Sequence, residues 1–159
     1  MKKKQKGFTL IELLIVVAII GILAAVGAVT IPNILHNAKV KTSTTNHKAI
    51  ASLISIKFVQ CSTGESELIW TKNATGDTTK VSCTANAQSH LADMVKHFEY
   101  ENYKNAHNTS EKQVYSATGA TPAIGRTNLS CSGDICKVYT NTGGGSGKNE
   151  VLSASVTKE

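Results

Sequence analysis

The stretch KGFTLIELLIVV (residues 6–17) decides the fold, because it opens a long apolar run beside a single acid. After Glu12 there is no Asp, Glu, Lys or Arg from Leu13 to Ala38. Leu13–Ile31 is apolar apart from small residues and Thr30, and its length matches one bilayer span of about 20 residues. A carboxylate at the head of such a helix is costly against lipid. Glu12 therefore calls for a specific partner.

The residues before this stretch set its orientation. Net charge is +6, and Lys2, Lys3, Lys4 and Lys6 supply four of those charges with no acid before Glu12. A basic tag beside an apolar segment holds its end in the cytoplasm, so the chain after about residue 35 is expected outside it. The rest of the chain carries only +2, and no basic stripe with interleaved aromatics marks a nucleic-acid surface. Outside the cytoplasm disulfides persist. Cys61, Cys83, Cys131 and Cys136 allow three pairings, and closeness in sequence favours Cys61–Cys83 with Cys131–Cys136.

After Pro32, which removes one helical hydrogen bond, apolar residues recur at Ile34, Leu35 and Ala38. They recur again at Ala49, Ile50, Leu53, Ile54, Phe58 and Cys61. Spacings of three and four predict one helical stripe, weak across the polar KVKTSTTNHK (residues 39–48). A helix over residues 8–60 would be about 80 Å long, which implies partners along its length.

The remainder is rich in Thr, Ser, Asn and Gly. Strands are expected at Glu67–Thr71, Thr79–Cys83, Val114–Tyr115, Ile135–Thr140 and Glu150–Val156. A helix is expected over residues 88–104, with Leu91, Met94, Val95 and Phe98 on one face. Cys131–Cys136 reads as a tight turn closed by its ends, and GGGSG (residues 143–147) as a loop. The fold class expected is α+β: a long N-terminal helix, half membrane-spanning and half amphipathic, packed on a small C-terminal antiparallel sheet.

Motifs for chemistry are weak. Thr142–Asn149 imitates a phosphate-binding loop, but one residue is missing between its glycines and Asn149 replaces the hydroxyl. His36, His47, His90, His97 and His107 form no zinc pattern; His90 and His97 share a helical face and read as surface residues. No nucleophile elbow is present, so no catalytic residue, metal or cofactor is expected. Asn73, Asn108 and Asn128 begin short glycosylation-type triplets that arise easily by chance. With no aromatic between residues 9 and 57, a conductive filament is not expected. A secretory signal cleaved after Val26-Gly27-Ala28 would leave Glu12 unexplained.

Gly7-Phe8-Thr9-Leu10-Ile11-Glu12-Leu13, preceded by lysines and followed by LIVVAIIGILAA, resembles the N-terminus of type IV pilins and the related type II secretion pseudopilins. The resemblance covers residues 1 to about 31. It implies that residues 1–7 are a leader cut by a prepilin peptidase between Gly7 and Phe8, and that Phe8 is then N-methylated. It assigns Phe8 and Glu12 to assembly. Residues 8–31 would form the transmembrane and filament-core helix, 32–61 its amphipathic half, and 62–159 an extracellular head. The short leader and Phe8 are similar to the type IVa branch, in which a disulfide-bounded loop lies near the C-terminus; Cys131 and Cys136 would close it. Pro32 falls later in the mature chain than the proline many members of that branch carry.

The resemblance further implies a homopolymeric filament whose subunits wait in the inner membrane for an assembly platform. Adhesion to a host surface, twitching motility or DNA uptake would follow. The alternative is a type II secretion pseudopilin or a minor pilin. Major pseudopilins often hold calcium on clustered C-terminal acids, whereas Asp134 and Glu150 are the only acids between Arg126 and Val156.

Overall fold

A computed structural model of the 159-residue chain describes residues 7–73, 75–145 and 148–159; the lysine tag and part of the GGGSG loop fall outside them. Two compact units share the first helix, α1 (Leu10–Ser62), and divide it after Asn37.

In the first unit, residues 10–37 are helical, and from Leu13 to Ile31 the helix is apolar on every side apart from Thr30. The helix is long and apolar enough to cross a membrane. Leu10, Ile20 and Val29 all stand exposed. Helix continues through Pro32, whose missing N–H costs one bond to a carbonyl a turn earlier. Neighbouring side chains add bonds here: Thr30 Oγ1 donates to the Val26 carbonyl at 3.1 Å and Asn33 Nδ2 to that of Val29 at 3.3 Å.

In the second unit, α1 buries Ser43, His47, Ile50, Ile54 and Phe58. These follow the helical period, so the buried stripe runs through the polar KVKTSTTNHK segment as well. The helix ends in a Schellman motif. Gly64 adopts φ 111°, its N–H reaches the Cys61 carbonyl at 3.3 Å, and Glu65 N–H reaches that of Gln60 at 3.1 Å.

Two sheets follow. β1 (Glu67–Thr71) and β2 (Thr78–Ser82) form an antiparallel hairpin. A 3₁₀ turn at Ala87–His90 leads into α2 (Leu91–Tyr100). β3 (Val114–Ser116), β4 (Thr127–Ser132), β5 (Ile135–Asn141) and β6 (Val151–Thr157) form a four-stranded sheet in that order. β3 runs parallel to β4; the other pairs are antiparallel.

The α+β class stands as expected, with three differences of detail. The sheet is mixed rather than purely antiparallel, because the loop after β3 returns the chain alongside it. β4, Thr127–Ser132, has no counterpart in the expected strands. Thr127, Leu129 and Cys131 point inward in alternation, and two of those are not strongly apolar. The turn read at Cys131–Cys136 is thus the tip of the β4–β5 hairpin. The expected helix over 88–104 is shorter; it stops at Tyr100, and Asn102 turns the chain at φ 59°.

The core of this unit joins α1, β1, α2 and the larger sheet through Ile54, Phe58, Trp70, Met94, Phe98 and Leu129. Disulfides join Cys61 to Cys83 and Cys131 to Cys136, with S–S distances of 1.96 and 1.97 Å. The first ties the end of the β1–β2 hairpin to the last turn of α1. The second links residues directly opposite in the β4–β5 register.

His90 and His97 are not surface residues. Both are buried, because the turn into α2 rolls their shared face onto Trp70.

Candidate functional site

The residues singled out by the sequence gather at the start of α1. Gly7 and Phe8 precede the helix in non-helical backbone, and Phe8 is 85% exposed. A Cβ placed on Gly7 would meet nothing within 4 Å among the described residues. Among the described residues neither packing nor backbone geometry here demands glycine, and both Gly7 and Phe8 are exposed.

Glu12 sits in the first turn of α1 and is engaged with Thr9. Thr9 N–H donates to Glu12 Oε2 at 2.8 Å, and Thr9 Oγ1 donates to the same oxygen at 2.6 Å. In return Glu12 N–H approaches Thr9 Oγ1 at 3.4 Å. Leu13 N–H closes the first helical bond on the Thr9 carbonyl at 3.3 Å. This reciprocal pattern is a capping box, in which two orphan N–H groups of a helix start are satisfied by side chains. The carboxylate also lies at the positive end of the helix dipole.

The signal for this arrangement was present in the sequence as Thr9-x-x-Glu12 before an apolar run. It explains how Glu12 is held without a second molecule. A carboxylate offers about four acceptor directions, so a further cation can be taken on the same group.

Beyond Glu12 the helix carries no charge for seven turns. Ala24, Gly27 and Ala28 make a shallow apolar notch between Ile20, Leu23, Ile31 and Pro32. Small residues of this kind let another helix backbone approach closely.

Among the described residues no three His, Cys, Asp or Glu side chains are placed to hold one metal ion. Asp134, one of the two acids between Arg126 and Val156, accepts from Ala87 N–H at 3.3 Å and serves the hairpin tip. The glycine-rich connection between β5 and β6 begins as a structural turn, with Thr142 N–H donating to the Glu150 carbonyl at 2.8 Å.

Comparison with known proteins matches the same end of the chain. Residues 2–28 match the prokaryotic N-terminal methylation motif. The chain is similar to type IV major fimbrial proteins FimA of Dichelobacter nodosus, with 60% identity over 40 residues. That alignment covers 25% of this chain and 26% of the relative, so the chain spans about a quarter of the length of the curated relatives it matches. No solved structure matches it. Over its N-terminal quarter, the chain resembles a type IV pilin.

Proposed function

We propose that this chain is the structural subunit of a type IV pilus, polymerising through α1 into an extracellular filament. The observation that supports this most is the pairing of Glu12 with a bare apolar helix. One carboxylate stands on the first turn, and no further charge follows before Lys39.

In this reading residues 1–7 are a leader removed after Gly7, which frees an amine on Phe8 that is then methylated. The precursor rests in the inner membrane with residues 8–31 spanning it and the head, residues 62–159, outside. Before assembly, Thr9 supplies the hydrogen bonds that make Glu12 tolerable. During assembly, the Phe8 amine of a neighbouring subunit meets the Glu12 carboxylate. In a low-dielectric core that attraction is strong, and a charge left unpaired is heavily penalised. The penalty sets axial register, because a shifted subunit would strand both charges. The apolar surface of residues 13–31, including the notch at Gly27, then exchanges lipid for neighbouring helices.

The role is structural and not catalytic. The required partners are copies of itself, a prepilin peptidase and methylase, and a membrane assembly platform. Adhesion, twitching motility or DNA uptake are the outputs such a filament serves, and the fimbrial names of the similar proteins favour this over a secretion pseudopilus.

The test is Glu12→Ala in the native cell. The variant is expected to be cleaved and membrane-inserted but absent from sheared filaments. Normal filaments would overturn the proposal. Mass spectrometry of wild-type filaments should find methylated Phe8 as the first residue, and copy number per filament separates a major from a minor subunit.

A further inference from the structure

The hairpin β1–β2 is a sheet of its own, with no ladder to β3–β6 among the described residues. Two histidines accept hydrogen bonds from it, beside Lys57 Nζ on the Ile69 carbonyl, Lys158 Nζ on the Cys83 carbonyl and the buried Leu68. Trp70 Nε1–H donates to His90 Nδ1 at 3.2 Å, and Thr71 N–H donates to His97 Nδ1 at 3.3 Å. Indole and backbone N–H groups can only donate, so both Nδ1 atoms must be acceptors and both rings neutral. The Trp70 ring meets both imidazoles edge-on, at 6.2 and 5.7 Å between centroids. All three side chains are buried.

We propose that His90 and His97 form an acid-release latch on strand β1. A proton taken from solvent onto either Nδ1 would set an N–H against an N–H that cannot turn away. Both bonds would be lost together, because they grip consecutive residues of one strand. The hairpin would lift as a unit. Its own ladder pairs would survive, and Cys61–Cys83 would tether it to α1. Lys158 Nζ, which donates to the Cys83 carbonyl at 2.6 Å, holds the same tethered end, and the ladders of the four-stranded sheet would be untouched.

The surrounding charges are mixed. His90 faces Lys158 from the tail after β6, Asp93 from its own helix, and the backbone carbonyl of Ser82 on β2. Its Nε2 closes no well-formed hydrogen bond. His97 faces Glu101 at the end of its helix and Lys57 from α1. Lys57 also donates to the Ile69 carbonyl at 3.1 Å and lies 5.6 Å from the Trp70 ring centre. Burial is the largest influence on both rings, and it favours the neutral form.

Trp70 is the single tryptophan of the chain, so it reports on its own latch. The full chain in detergent micelles, titrated from pH 8 to pH 4, should show a red shift of Trp70 emission. The midpoint should lie below the ordinary histidine value of 6.5, with helix content by circular dichroism unchanged. His90→Asn with His97→Asn keeps an acceptor oxygen near each Nδ1 position and cannot titrate; it should abolish the transition. A transition that persists unchanged in that double variant would overturn the latch, as would its absence in the wild type. The indole N–H resonance of wild-type Trp70 gives a reading that needs no variant. It should move as the two imidazole signals titrate, and an indole signal indifferent to their protonation would sink the proposal.

Discussion

His47 on α1 and Thr140 on β5 lie 2.9 Å apart, Nδ1 to Oγ1, in a buried seam between helix and sheet. Thr140 Oγ1 is in turn 2.7 Å from Thr127 Oγ1 on β4. Thr127 receives Gln113 Nε2 at 3.4 Å, and Gln113 Oε1 receives Asn46 Nδ2 from α1 at 2.6 Å. The seam therefore leaves α1 at His47, crosses two strands, and returns to α1 at Asn46. A polar chain of this kind holds a helix in one register, since sliding it would leave buried groups unpaired.

Thr140→Val keeps the shape of the side chain but removes the hydroxyl that both His47 and Thr127 use. The loss expected is about 1–3 kcal/mol, the cost of unsatisfied buried polar groups. Denaturant unfolding followed by Trp70 fluorescence measures it. A stability equal to wild type would mean that the seam contributes nothing.

Stability should fall with acid. His47, His90 and His97 are each held below the ordinary 6.5, chiefly by burial; Lys48 adds to this at His47 and Lys158 at His90, while at His97 Glu101 opposes it and Lys57 adds a smaller lowering. Unfolded histidines take up protons near pH 6.5 while the folded ones resist, so the unfolded state binds more protons as pH drops. Stability is full above 6.5 and declines as pH falls from there through the folded values. Melting temperatures between pH 8 and 5 are the check; a flat profile contradicts the assignment of three buried neutral rings.

Thr9→Val should fray the first turn of α1 by removing the hydroxyl of the capping box. Thr9→Ser should restore it, because either hydroxyl serves as N-cap. Hydrogen exchange at the amides of Leu10–Leu13 in micelles reads this directly. Equal protection in Thr9→Val and wild type would show that the box does not hold the helix start.

The two disulfides should contribute unequally. Cys61–Cys83 closes a loop with sequence separation 22, and Cys131–Cys136 one of 5. Loop-closure entropy predicts about 3 kcal/mol for the first and about 2 for the second. Paired Cys→Ala variants in denaturant titrations rank them; a larger loss from the shorter loop would reject the entropic account.

The candidate site was largely legible in the sequence because it is local. Residues 7–17 contain the acid, the apolar run and the Thr9-x-x-Glu12 spacing, and a helix start depends on neighbours three and four positions apart. The amphipathic second half of α1 was legible for the same reason, down to Ile50, Ile54 and Phe58. The histidines were not. Imidazole reads as polar in any window, and only Trp70, twenty residues before His90, reveals that it is buried as an acceptor. β4 escaped because Thr127 and Cys131 are inward residues without strong apolar character; Thr140 across the ladder makes Thr127 a core residue.

Sequence alone therefore determined the elements whose cause is short-ranged: an apolar helix long enough to span a membrane, its lone acid, and the stripe that follows. Tertiary structure decided which polar groups are interior, that β3 lies parallel to β4, and that Trp70 rests between two imidazoles. Periodicity reports the face a residue occupies on its own element. Burial of a polar side chain depends instead on a partner brought from far along the chain to satisfy it.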